Sequence, residues 1–204
     1  PEATAAFEAE MAKLQESFAQ QRSDVEAMFQ EARALEEASA AAAKIASAQT
    51  VLARLRAALD AGQPFGGMIQ ELSALGIDVP ADLADRSADG VLTLSALTEG
   101  FAPSARQALA TVREEDKAGA SLLDYVNRQL GARSVAPREG DGTDAVLSRV
   151  EAAIRSGDLQ ATLSETSTLP EAAASAMADW IAAVVARQQT LTAAETLSQS
   201  LNAN

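Results

Sequence analysis

Few residues of this chain could carry out chemistry, because its 204 residues include no His and no Cys. Their absence excludes a Ser/His or Cys/His nucleophile pair and an imidazole or thiolate metal site. Carboxylates, hydroxyls, three lysines and the single tyrosine, Tyr125, remain as reactive groups. The carboxylates at 36–37 and 114–116 are sequence neighbours, which point in different directions from a helix and do not converge on a substrate. The chain also lacks a phosphate-binding glycine motif, so we predict no enzymatic activity, no cofactor and no metal.

The composition indicates an acidic, helical protein. Aromatic residues make up 3% of the chain, and the formal net charge is −13 with a sequence pI of about 4.4. Alanine is abundant, which favours long helices that pack through small side chains. We predict an all-α fold in which a long N-terminal coiled-coil helix is followed by a helical bundle. Because phosphate contacts dominate nucleic-acid affinity, an acidic chain is not expected to bind nucleic acid.

A heptad repeat marks the first predicted helix. Over residues 7–42 the apolar or small positions alternate in steps of four and three, as in a coiled coil. No Gly or Pro occurs in 2–61, and Gly62 and Pro64 supply a stop, so a helix of about 60 residues is predicted. Gln21 and the alanine-rich end weaken the repeat, which leaves a solitary Ala-rich helix as the alternative. The predicted oligomer interface comprises the large apolar residues of the repeat: Phe7, Met11, Leu14, Phe18, Val25, Met28 and Leu35.

Glycine and proline divide the rest of the chain into segments. The predicted organisation is a coiled coil at 1–62, short connecting helices at 63–103, an amphipathic segment with a loop at 104–138 and a C-terminal helical domain at 139–204. Thr93 or Ser95 is expected to cap one of the connecting helices. A new helix is expected after Pro103, which would extend to Gly131 with a break around Gly119.

The C-terminal segment contains several helix boundary signals. Thr143 or Asp141 is expected to cap its first helix, and Gly157 is expected to end that helix. Asp158 is expected to cap the next helix, and Pro170 to start a long final one. This order predicts a helix pair followed by a long helix.

Segment 104–138 differs from the others in charge, since it is the one that is not acidic. Its arginines and lysine alternate with leucines and valines, a pattern typical of a helix that lies among lipid headgroups. A membrane surface or an acidic patch of a partner protein would suit it. The alternative is that the apolar stripe packs on neighbouring helices, because soluble amphipathic helices have the same pattern.

Several stretches resemble a known family. The run from Arg138 to Ala173, and the run A-D-W-I-A-A-V-V-A-R at 178–187, are similar to the C-terminal domain of alphaproteobacterial mitofilin-like proteins. The upstream runs L-R-A-A-L-D-A-G-Q-P-F and G-V-L-T-L-S-A-L-T-E-G-F are similar as well. The resemblance covers about residues 45–204. The order of coiled coil, short helices, amphipathic helix and C-terminal domain also matches.

The resemblance implies a bacterial inner-membrane protein whose transmembrane anchor lies outside this chain and whose body is periplasmic. Mitofilins self-associate through the coiled coil, bend bilayers through the amphipathic segment and contact partners through the C-terminal domain. The expected partners are further copies of the chain and membrane lipids, with another membrane or periplasmic protein left open. By position, the lipid-binding residues would be Leu109, Val112, Arg113, Lys117, Leu122, Leu123, Val126, Arg128, Leu130 and Arg133.

These features predict a non-enzymatic scaffold that shapes the inner membrane. Oligomerisation through the heptad repeat would present several weak amphipathic helices together, so that modest affinities combine by avidity. The alternative is a soluble coiled-coil scaffold that binds another protein and does not contact lipid.

Overall fold

The computed structural model describes residues 2–119 and 142–203, with side chains described at 6–115 and 142–203. Within these ranges the chain is helical and contains no strand, which confirms the all-α prediction. The chain divides into two units, Pro1–Ala48 and Gln49–Asn204. The helices are α1 Glu2–Asp60, α2 Gly66–Ala74, α3 Ala81–Ala84, α4 Leu94–Gly119, α5 Thr143–Ser156, α6 Leu159–Thr166, α7 Glu171–Ala176 and α8 Ala178–Ala203.

Helix α1 confirms the predicted long helix and ends where the sequence places a stop. Its last turn closes with two backbone bonds, from Gly62 N–H to Leu59 O (3.2 Å) and from Gln63 N–H to Ala58 O (2.8 Å). This pairing requires a left-handed residue after the helix, and Gly62 supplies it with a φ of +66°. A side chain at Gly62 would also collide with Thr93, because a Cβ there lies 2.9 Å from the Thr93 methyl group.

The second unit is a helical bundle. A cluster of buried apolar side chains in it comes from α4 to α8 and includes Leu97, Phe101, Val150, Ile154 and Trp180. The Phe101 and Trp180 rings meet edge to face with centroids 5.3 Å apart, a favourable arrangement for aromatic quadrupoles. Trp180 also donates its indole N–H to Leu97 O at 2.8 Å, so its one polar atom is satisfied in the core.

The apolar residues at the end of α1 belong to this second unit. Leu52, Leu55 and Leu59 are buried there, together with Phe65 and Leu72. A bidentate ion pair joins the same stretch to α2, because Arg54 donates to both carboxylate oxygens of Glu71 at 2.8 and 3.1 Å. Helix α1 therefore changes from exposed apolar residues to buried ones along its length.

The predicted helix start after Pro103 is wrong. Helix α4 begins at Leu94 and contains Pro103 in its interior. Thr93 caps it, as one of the two expected residues, by accepting the Ala96 N–H at 3.1 Å. Pro103 is exposed, so the backbone bond that its missing N–H cannot make lies on the solvent side, where water can satisfy the free carbonyl. The segment boundary at 103/104 consequently falls inside a helix.

The helix boundaries predicted for segment 139–204 are confirmed in part. Gly157 ends α5 with a φ of +79°, and the Asp158 carboxylate caps α6 by accepting the Ala161 N–H at 2.8 Å, as predicted. Thr143 is not a cap: Gly142 occupies the N-cap position of α5 without a side-chain bond, and Asp141 lies outside the described residues.

The final helix is divided, which the sequence did not indicate. Pro170 precedes a short helix, α7, and the buried Met177 separates it from α8. The Met177 φ of −103° differs from a helical value, so the chain turns there while the methionine side chain enters the core. The predicted continuation of α4 to Gly131 lies outside the described residues.

Candidate functional site

The strongest candidate site is the apolar face of α1 within the first unit. Every described side chain from Ala6 to Lys44 is exposed. A row of large apolar side chains on an exposed helix marks an interaction surface, because monomeric soluble proteins rarely expose apolar patches larger than a few hundred Å². We call the following residues the seam, each with its exposed fraction: Phe7 66%, Met11 42%, Leu14 53%, Phe18 59%, Val25 50%, Met28 63% and Leu35 71%.

The geometry of α1 keeps these side chains on one stripe. Steps of three and four residues return to the same side of a helix that has about 3.6 residues per turn. At 1.5 Å per residue, the seam from Phe7 to Leu35 runs for about 42 Å. Phe29 adjoins it at the following position and is also 64% exposed. The stripe is therefore long enough to receive another helix, although Gln21 and Ala32 interrupt its large apolar residues.

The structure describes the side chains of three of the ten predicted lipid-binding residues. Leu109 and Val112 are partly buried and pack against the core of the second unit, whereas Arg113 is exposed. Their positions on α4 thus match the alternative in which the stripe faces neighbouring helices. Lys117 lies in α4 beyond the last described side chain. The other predicted lipid-binding residues lie outside the described residues: Leu122, Leu123, Val126, Arg128, Leu130 and Arg133.

The candidate acid–base residues do not form a cluster in the described part of the chain. Glu36 and Glu37 are exposed on α1, and Glu114 and Glu115 are exposed near the end of α4. In the same ranges, no group of three or more acidic residues has the geometry of a metal site.

One open groove of about 560 Å³ lies among α3, α6 and α8. Asp82 is the ionisable residue of its lining. The other lining groups are amides, hydroxyls and apolar side chains: Pro80, Leu163, Val185, Gln188, Gln189, Thr192, Ala193 and Thr196. A single carboxylate without a second acid–base group offers a binding surface rather than a proton-transfer pair.

Arg187 is a structurally important residue that the sequence pattern did not reveal. Its side chain is buried in the bundle, where it donates to Leu59 O at 3.2 Å and to Leu92 O at 2.9 Å. The Asp60 carboxylate lies 3.8 Å away and is largely exposed. Burial lowers the pKa of Arg187 and the negative charge of Asp60 opposes that change. The guanidinium stays protonated near neutral pH, because the ordinary pKa of arginine lies far above it.

The position of Leu59 explains why a cation is stable in this buried place. Leu59 lies in the last turn of α1, where the carbonyl groups carry the negative end of the helix dipole. Arg187 therefore acts as a buried cap that joins the end of α1, the Leu92 loop and α8. Apolar residues precede Arg187 and polar ones follow it in the sequence, and only the fold brings the two carbonyl groups to it.

Comparison with protein-family models, with curated proteins and with solved structures found no match to this chain. Among the described residues, no helix combines the length and the apolar character that crossing a membrane requires. The seam on α1 is consequently the feature from which a function can be argued.

Proposed function

We propose that this chain is a non-enzymatic scaffold that self-associates through α1 and shapes the inner membrane, from its periplasmic side, through segment 104–138. The observation that carries the proposal is the exposure of the seam, with seven large apolar side chains that are 42–71% exposed. A heptad repeat is buried when a second helix with the same repeat lies along it. A second copy of the chain supplies such a helix.

The size of the exposed stripe supports self-association. The seam together with Phe29 provides eight large apolar side chains, each of which leaves roughly 100 Å² exposed. Each copy would then bury about 800 Å², which is the area per partner in a stable protein–protein interface. A smaller apolar patch would not justify a specific complex.

The membrane part of the proposal is supported by the sequence of segment 104–138 and by the position of this segment between the runs that resemble mitofilins. Single amphipathic helices of this kind bind bilayers weakly. An oligomer held by α1 would present several of them to one surface, so that the second and later contacts are intramolecular. The scaffold would therefore bind lipid as an assembly and poorly as a single copy.

Leu14→Glu/Leu35→Glu tests the self-association step. The double change removes four buried leucines per dimer, at a cost of about 6 kcal/mol, and should shift the full chain to monomer. Ala12→Glu/Ala34→Glu is the matched control, because both alanines lie on the exposed face away from the seam. Sedimentation equilibrium measures the mass, and circular dichroism checks the helix content. A wild-type monomer at high concentration, or equal behaviour of both variants, would refute self-association through the seam.

Flotation with anionic liposomes tests the membrane step. Wild-type chain should float, and Leu122→Asp/Val126→Asp should not, since it puts charge on the apolar stripe. Asn127→Asp/Gln129→Asp adds the same charge at polar positions and should still float. Membrane shaping itself requires that electron microscopy show deformed liposomes with the wild type.

The second candidate is a soluble scaffold that binds another protein and does not contact lipid. The packing of Leu109 and Val112 on the core favours it, because it assigns part of the stripe to the bundle. A wild-type chain that oligomerises but does not float would support this candidate.

A further inference from the structure

The charges beside the seam are distributed unevenly around α1. In heptad notation the seam residues occupy positions a and d, and positions e and g flank them on either side. The flanking residues are Glu8, Gln15, Arg22, Phe29 and Glu36 at e, and Glu10, Ser17, Asp24 and Glu31 at g. They include five acids and one base, and all of them are exposed. The other bases of the described first unit, Lys13, Arg33 and Lys44, lie on the outer face.

A parallel pair of copies brings like charges together. In this arrangement each g residue faces the e residue of the next heptad on the other helix. Glu31 of one copy then faces Glu36 of the second copy, and the symmetry of the dimer repeats this contact. The remaining g and e neighbours combine a charged residue with a neutral one. No attractive pair offsets the glutamate pairs.

An antiparallel pair also brings like charges together when the whole seam is buried. Here e residues face e residues and g residues face g residues. Full overlap places Glu8 against Glu36 and Arg22 against its own copy, and it places Asp24 against its own copy on the other side. Arg22 reaches a glutamate only if the helices slide, and sliding leaves part of the seam exposed.

We infer that self-association through the seam is controlled by ionic strength, so that the assembly is weakest at low salt and tightens as salt screens the acidic flanks. The inference rests on the proposed self-association and identifies how that same surface is regulated. Coiled coils held together by e–g salt bridges should show the opposite salt dependence, because salt weakens attraction between exposed charges. The direction in which salt changes the affinity therefore distinguishes a coiled coil with repelling flanks from one with attractive flanking salt bridges.

Sedimentation equilibrium of the full chain, from about 50 mM to about 500 mM NaCl, tests the inference, since this range shortens the Debye length severalfold. The wild-type dissociation constant should fall as salt rises. Glu31→Gln/Glu36→Gln should associate about fivefold more tightly at low salt, as expected when two exposed like-charge pairs are removed. Its response to salt should also be flatter than that of the wild type.

Glu16→Gln/Glu37→Gln is the matched control. Both glutamates lie at the outer f position of the heptad and are exposed, and their replacement changes the net charge by the same amount. If this control gains as much affinity as Glu31→Gln/Glu36→Gln, general charge repulsion explains the effect and the inference is wrong. Association that weakens with salt would also overturn it while leaving self-association intact. A chain that stays monomeric at every salt concentration would overturn the proposed self-association itself.

Discussion

The buried arginine of α8 offers a test of how the end of α1 is held in the bundle. Replacement of Arg187 by methionine keeps an unbranched apolar stem but removes every donor. Leu92 O loses a charge-assisted bond of 2.9 Å, and Leu59 O loses one of 3.2 Å while it keeps the Gly62 N–H. The Asp60 contact at 3.8 Å contributes little, because that carboxylate is largely exposed.

The expected loss follows from these contacts. Leu92 O is part-buried, so the loss of its donor costs an amount near the low end of about 1–3 kcal/mol, and the weakened bond at Leu59 O adds to this. Methionine also avoids the desolvation of a charge, which offsets part of the loss. We expect Arg187→Met to lower the free energy of unfolding by about 2 kcal/mol. Arg187→Lys should lose less, because both bonds come from the single nitrogen Nη1, and an ammonium group keeps the charge and carries three donors of its own.

Urea unfolding monitored by Trp180 emission measures this loss. Trp180 is the only tryptophan and is 7% exposed in the bundle core, so its emission reports on the second unit. With a typical denaturant slope of about 2 kcal/mol per molar, the midpoint should fall by about 1 M. Arg155→Met is the control: its surface pair with Glu151 should contribute under about 0.5 kcal/mol. Equal shifts for the two variants would refute the capping role of Arg187.

Two other contacts of the bundle have predictable costs. Gly157→Ala should lose about 1–2 kcal/mol, because the φ of +79° disfavours a side chain and the new Cβ would lie 3.2 Å from Leu94. Gly142→Ala, with a φ of −69° and no described atom within 4 Å of the new Cβ, should lose less in the same urea experiment, because alanine is there only a poorer N-cap residue. Trp180→Phe should lower the free energy of unfolding by about 1–2 kcal/mol, because Leu97 O loses its indole donor while the ring contact with Phe101 is kept. Thermal unfolding followed by far-UV circular dichroism measures this loss. An unchanged midpoint would contradict the prediction.

The features that the sequence predicted correctly depend on local chemistry. The length of α1 follows from the absence of Gly and Pro, and its end follows from the left-handed turn that Gly62 allows. Gly157 and Asp158 likewise act within one turn of their own position. The large apolar residues of the heptad are exposed on α1, and the pairing that the sequence predicts for them stays a prediction.

The features that the sequence missed depend on distant parts of the chain. Arg187 meets carbonyl groups that lie 128 and 95 residues away in the sequence, so no local pattern marks it as buried. Pro103 follows the rule for a helix stop, yet α4 passes through it because the missing N–H lies on the solvent side. Tertiary packing determines the burial of Arg187 and the continuation of α4 through Pro103. The contacts responsible lie outside any short window of neighbouring residues.

The amphipathic stripe of segment 104–138 shows why periodicity alone does not assign a function. Leu109 and Val112 belong to the predicted lipid-binding set, and both pack on the bundle core. A side chain that stabilises the core is not free to insert into a bilayer without loss of that packing. In the proposed scaffold, lipid contact then falls to the residues that follow α4. We therefore expect Leu109→Ala to lower the stability of the second unit by about 1–2 kcal/mol and to leave flotation unchanged. Loss of flotation by a stably folded Leu109→Ala chain would return this residue to the lipid-binding set.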